Sequence, residues 1–398
     1  MTISLRFRFA LTGGAAVVAL CAGGGAADAQ FKQTDLVSDV PGLAAVTDLN
    51  LQNPWGLSFL PGSPIWISNQ GTNTATLYPV VGSTGVKATP FTVNIPTTGS
   101  GPQGPTGQVA NAAMTGFDVG NGGNGKPADF IFANLNGSIS AWNGSPSLTQ
   151  AITQTSVAGA SFTGLAINQA GTMLYAANDA GSGGIDVFNS SFGLLTTLRA
   201  SAFMTPTAIA GAGLVPFNVT DINGNVYVTY ALSGHANQTD AAKGEGAVAV
   251  FNESGALESM TIGGQLASPW GVAVAPGGFG AFGGDVLVGN FSAADPVIDA
   301  FNPATWAFEG SIAINDGGQL TGGLWSLAFG GGGKDGNTET LYFTDGLDGE
   351  REGLFGAITV PEPSTWAMMA VGFGGLALLA ARRRRMALLI GQRATAPL

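Results

Sequence analysis

The chain has 398 residues, with 63 glycines and 20 prolines beside 45% hydrophobic and only 10% charged residues, and a net charge of -11. Between Gln30 and Val360 seven basic residues face 23 acidic ones, a balance of -16, which argues against nucleic acid and anionic surfaces as partners and admits cations or neutral ligands. Frequent turn formers between regularly spaced apolar runs indicate short strands, so the class expected is all-β.

In chain order, "MTISLRFRFALTGGAAVVALCAGGGAADAQ" pairs Arg6 and Arg8 with an apolar stretch and an "ADA" ending, which predicts a signal peptide over residues 1–29. Cys21 is the only cysteine and lies inside it. The exported chain is therefore expected to have neither disulfides nor thiolate chemistry.

From there on one pattern recurs six times. First strands are read at "PWGLSF" (Pro54), "TGFDV" (Thr115), "TGLAI" (Thr163), "VPFNV" (Val215), "SPWGVAV" (Ser268) and "LWSLAF" (Leu324). Taking Gly56, Gly116, Gly164, Pro216, Gly271 and Ser326 as equivalent, subtraction gives spacings of 60, 48, 52, 55 and 55 residues. Second strands end at Asn69, Asn134, Asn178, Tyr230, Asn290 and Asp345; third strands end in aromatic-Asn pairs in four copies. Fourth strands are read at "ATPFTVNI", "ITQTSVA", "LLTTLR", "LESMTI" and "FEGSIAI". Four strands in each of six copies predict a six-bladed β-propeller over residues 31–359. The sixth copy lacks a fourth strand, and "TDLVSD" (Thr34 to Asp39) belongs to no other blade, so this N-terminal strand is expected to complete the last blade and close the ring.

In such a ring the second-strand ends converge on one face. Asn69, Asn134, Asn178, Tyr230, Asn290 and Asp345 offer oxygens suited to Ca2+ and amides suited equally to sugar hydroxyls. The same residue types are favoured wherever a strand turns into a loop, and recurrence does not separate these readings. A second candidate for Ca2+ is "TDGLDGERE", where Asp345, Asp348, Glu350 and Glu352 crowd together; a solvated acidic loop has the same composition. "DVGNGGNGKPADF" lacks the Lys-Ser ending of a phosphate loop and reads as a turn. His235, the only histidine, sits in a loop on the ligand face with no partner identifiable from the sequence, so no catalytic residue is assigned. Trp55, Trp270 and Trp325 at first-strand starts suit either sugar stacking or axial packing.

The tail "VPEPSTWAMMAVGFGGLALLAARRRR" combines Pro361-Glu362-Pro363, an apolar stretch from Trp366 to Ala381, and Arg382, Arg383, Arg384 and Arg385. It resembles the PEP-CTERM sorting signal, with a transmembrane helix over part of residues 360–385 and a short tail at 386–398. The resemblance implies export, transient anchoring in the inner membrane, processing by an exosortase, and release to the periplasm, cell surface or extracellular matrix. Many proteins carrying this signal accompany exopolysaccharide or biofilm production. The family usually ends soon after its basic cluster, whereas "MALLIGQRATAPL" follows here.

The "NPWG" and "SPWG" strand starts and the "GGQL" lead-ins at Gly263 and Gly317 resemble an uncharacterised propeller family associated with that signal, and more distantly NHL-type, strictosidine-synthase-like and gluconolactonase-like propellers. The calcium-dependent lactonases bind metal around the channel, but only Asn53 matches their pattern here. The reading is thus a propeller that binds exopolysaccharide or another surface glycan; the alternative is a calcium-dependent lactonase or esterase.

Overall fold

The structure, a computed structural model, describes residues 31–361 apart from 90, 99–102, 182, 200 and 320, together with Arg382. The signal peptide, Cys21, Glu362, Pro363, the apolar stretch, Arg383, Arg384, Arg385 and the 386–398 tail lie outside the described residues.

Six sheets form the blades of a propeller, antiparallel throughout except where Lys32–Ser38 also pairs in parallel with Val46–Thr47 at the edge of the sixth. Their inner strands are Pro54–Ser58, Gln108–Ala110, Phe162–Ile167, Leu214–Ile222, Pro269–Val274 and Thr321–Phe329. Ring closure is as expected from the sequence. Lys32–Ser38 pairs antiparallel with Glu352–Thr359, Thr34 opposite Ala357 and Ser38 opposite Leu354, as the outer strand of the sixth blade. Ser38 Oγ donates to Gly353 O at 2.7 Å and Gly353 N to Asp39 Oδ1 at 2.8 Å, fastening its end.

Two strand assignments differ from the sequence reading. The second inner strand is Gln108–Ala110, not "TGFDV", which lies in the loop that follows; there Phe117 has a φ of +49° and is buried against the neighbouring blade. The correction restores the repeat. With Asn218 in place of Pro216, which matches Phe162 instead, residues 56, 107, 164, 218, 271 and 326 become equivalent, with intervals by subtraction of 51, 57, 54, 53 and 55.

At this level each inner strand touches its neighbours around the axis. A Cβ on Gly56 would lie 2.5 Å from Thr106 O; on Gly107 it would strike the backbone of Gly164 and Leu165, on Gly164 it would strike Asn218, and on Gly271 it would strike Trp325 O. Where the position is not glycine, a short polar side chain makes the bridge. Asn218 Nδ2 donates to Trp270 O at 2.9 Å, and Leu57 N to Ser326 Oγ at 3.0 Å.

The second difference is "LLTTLR". It forms no outer strand; only Leu194 bridges Phe188, and Thr196–Arg199 turns into a short helix. Leu195, Leu198 and Ala202 recur at helical rather than strand spacing and pack on the core shared by the third and fourth blades.

The core is divided among the blade interfaces. Six apolar clusters lie one between each pair of neighbours, and a seventh sits on the axis. Each middle strand is therefore covered on both faces. On Met173–Asn178, for example, Leu174 and Ala176 pack toward the second blade while Tyr175 and Ala177 pack toward the fourth. Double burial explains why these strands read as continuous apolar runs instead of alternating ones.

Candidate functional site at the channel mouth

Inner strands begin, and second strands end, on one face, called here the mouth. The first inner-strand side chains there are large: Trp55, Phe217, Trp270 and Trp325 join Phe291 in the axial cluster. Trp55 and Trp325 stack with centroids 3.6 Å apart, and Trp270 meets Trp325 edge-on at 5.6 Å. They close the channel between two hollows. On the mouth side is a pocket of about 310 Å³; on the opposite side the channel reopens as a cavity of about 260 Å³ lined by Asn218, Gln108 and the axial glycines.

The structure places the six second-strand residues inside their own blades, none more than 3% exposed. Asn69 Nδ2 donates to Thr74 and Thr76 Oγ1, Asn134 Nδ2 to Ser138 Oγ, Asn178 Nδ2 to Asp186 Oδ2, and Asn290 Nδ2 to Asp299 Oδ2. In addition Asn178 Oδ1 accepts from Ser161 and Ala180 N, and Asn290 Oδ1 from Ala267 N. These amides tie the second strand to the third and fasten the adjoining loops. Burial raises the pKa of the Tyr230 phenol.

Side chains that reach the mouth from the second strands belong to the next residue along: Gln70, Leu135 and Asp179 line the pocket, while Ala231 and Phe291 join the aromatic cluster. Successive strand residues point to opposite sides, so a one-residue step changes the blade interior for the axis.

Asp345 is the exception by charge. Its carboxyl sits beside that of Asp316; burial above all, then the second acid, pushes its pKa well above the ordinary 3.8, and burial raises Asp316 as well. A raised folded-state pKa supports stability fully below the unfolded value of about 3.8 and loses that support as pH climbs through the folded value. Asp345→Asn, which installs the residue that four other blades carry, is therefore expected to stabilise the fold by roughly 0.5–2 kcal/mol at pH 7.5, with little gain near pH 4. Denaturant midpoints at both pH values check this; equal destabilisation at both would remove the acid pair as the cause.

The other acids of that segment turn to different partners. Asp348 pairs with Arg351 at 2.6 Å, and Glu352 enters the third strand opposite Leu347. Glu350 reaches the mouth. Among the described residues no three His, Cys, Asp or Glu side chains gather as a metal site.

Glu350 belongs to a connected network over the tryptophans. Trp325 Nε1 donates to Asn53 Oδ1 at 3.0 Å; Asn53 Nδ2 donates to Gln70 Oε1 and Glu350 Oε2, both at 2.9 Å; Glu350 Oε1 lies 3.0 Å from His235 Nε2. His235 begins a short helix, His235–Thr239, in the loop that crosses the mouth from the fourth blade. That loop is tied to the third blade by Gln238 Nε2 to Asp179 Oδ2 at 3.2 Å, and to the fifth by Ser292 Oγ to Ala241 O at 2.5 Å.

The hydrogen bond to Glu350 is the main cause raising His235 above its ordinary 6.5, and the charge of Asp179 adds to it. Burial raises Asp179. The His235-Glu350 contact is thus strongest below pH 6.5 and is lost as pH rises through the raised value. Two polar atoms of the pocket lining, Trp55 Nε1 and Asp179 Oδ1, are buried without a hydrogen-bond partner among the described residues.

Of these residues, the sequence singled out the tryptophans, His235, Glu350 and Asn53, but not their connection. Gln70, Asp179 and Gln238 were missed. The usable signal for the first two is position: each directly follows a second-strand asparagine.

Residues 359–385 match the PEP-CTERM protein-sorting motif. Pro361, Glu362, Pro363 and the four arginines all fall within the match. The chain is also 30% identical over 280 residues to the uncharacterized protein R648 of Acanthamoeba polyphaga mimivirus, covering 68% of this chain and 67% of that protein. The chain belongs to the family of that viral protein. Similar solved structures include Kuenenia stuttgartiensis hydrazine synthase, with a TM-score of 0.47 and 14% identity over 76% of each chain. The Dos1 propeller has a TM-score of 0.39 and 11% identity over 77% of this chain and 67% of that one. The sorting motif makes this family member an exported, exosortase-sorted propeller.

Proposed function

We propose that the exported propeller is a binding module for a polysaccharide of the cell surface or extracellular matrix, and that the mouth pocket holds one sugar unit of it. The observation that carries this reading is the pairing of the Trp55 indole with unmatched polar groups: Trp55 Nε1 lacks an acceptor and Asp179 Oδ1 lacks a donor in the same pocket. A sugar offers an apolar C–H edge to Trp55 and hydroxyls that both donate and accept. The Asn53-Gln70-Glu350-His235 network fixes the rim in advance, which lowers the ordering cost of binding.

Residues 31–361 contain the whole closed ring and serve for the test. On a glycan array followed by calorimetry, binding is expected to fall about tenfold or more for Asp179→Ala, the scale of one lost buried hydrogen bond. Binding is also expected to weaken as pH rises through the raised His235 value, when the His235-Glu350 contact loosens, and that pH dependence should disappear in His235→Gln. A blank array would sink the proposal. Ca2+ binding that is lost in Asn134→Ala and Asn290→Ala would favour the calcium-dependent hydrolase instead.

A further inference from the structure

We infer that, in the anchored protein, the face opposite the mouth lies against the lipid bilayer and the mouth points away from it. The inference rests on the membrane-anchored reading of the sorting segment and is independent of what the pocket binds. The last strand, Glu352–Thr359, starts at the mouth, where Glu352 O accepts from Asn53 N at 3.3 Å. It ends at the opposite face, where Ile358 pairs with Leu341 and Thr359 with Lys32. The chain therefore enters and leaves the ring on that one face. There Pro361 lines a groove with Ser83, Gly278, Glu339 and Thr340.

From Pro361 to Trp366, where the apolar stretch begins, is five residues by subtraction. Fully extended, they reach at most about 18 Å. The neighbouring strand Leu341–Leu347 alone spans seven residues from face to face, or roughly 20 Å before any loop is added. The connector is too short to carry the chain round the blade to the mouth. Adhesion of the face itself is disfavoured, because the strand ends and loops there carry the acids Asp129, Asp221, Glu253, Glu258, Asp285, Glu309, Asp335 and Glu339 against Lys32, Lys87, Lys126 and Lys334. The tether sets the orientation, which leaves the pocket facing away from the bilayer while the protein waits for processing.

The experiment uses the mature chain, residues 30–398, which contains no cysteine, in phosphatidylcholine vesicles without exosortase. A single cysteine is introduced at Lys334 on the membrane-facing side or at Ala236 beside the mouth, both exposed, and carries an environment-sensitive fluorophore. Nitroxide headgroup lipid is expected to quench the Lys334→Cys label at least threefold more than the Ala236→Cys label. A ten-residue Gly-Ser insertion after Pro363 should bring the two signals together. Equal quenching without the insertion, or stronger quenching at 236, overturns the orientation. A difference that survives the insertion overturns the tether as its cause. Failure of the chain to float with the vesicles overturns the anchoring on which both rest.

Discussion

Deleting residues 31–39 is expected to abolish cooperative unfolding of the propeller. The segment supplies the outer strand of the sixth blade across six residue pairs from Lys32-Thr359 to Ser38-Leu354. It also places Leu36 and Val37, both fully buried, in the cluster that joins the sixth blade to the first. Losing two such side chains costs several kcal/mol, at about 2–5 kcal/mol for a large aliphatic residue cut to alanine, and the total is comparable to the stability of a whole domain. The deletion also bares the edge of Glu352–Thr359, a template for pairing with another chain. Thermal melts and size exclusion should show a broad transition and aggregation, partly reversed by adding the 31–39 peptide. An unchanged melt would mean that the ring does not depend on this closure.

Gly107→Ala is expected to cost about 3 kcal/mol or more, the upper end for forcing one extra carbon into a packed interior. The new Cβ would strike the backbone of Gly164 and Leu165, and backbone cannot swing aside as a side chain can. Gly211→Ala is the matched control. Nothing lies within 4 Å of its would-be Cβ and it sits in a short helix, so a gain of about 0.4–1 kcal/mol is expected. Chemical denaturation of the two variants checks both, and a Gly107→Ala protein as stable as the parent would contradict the close approach of the second and third inner strands.

Gly107 also shows where sequence reading stopped. "TGFDV" has a better strand composition than "TGQVA", since Phe117 and Val119 are both apolar and both buried. Their burial comes from a loop folded onto the next blade. What makes Thr106 to Ala110 the inner strand is close contact with the neighbouring inner strands at Gly56 and Gly164, which a Thr-Gly pair shared with "TGFDV" does not mark. In the third blade, "LLTTLR" reads as a fourth strand because it is a short apolar run in the place where other blades carry one, although Leu195 and Leu198 already have helical spacing.

Blade number, ring closure and the sorting motif were determined by the sequence alone, because each is written locally, as a repeated strand-turn pattern, a strand without a blade, and a contiguous Pro-Glu-Pro, apolar and arginine series. The mouth was decided only by the tertiary structure. In strands buried on both faces, hydrophobicity carries no parity, so nothing in "IWISNQ" or "LYAAND" says that Gln70 and Asp179, rather than Asn69 and Asn178, look to the axis. Likewise His235 and Glu350 meet although 115 residues separate them by subtraction. Closure of the ring brings the fourth and sixth blades to one opening, and the pair exists only once that ring is shut.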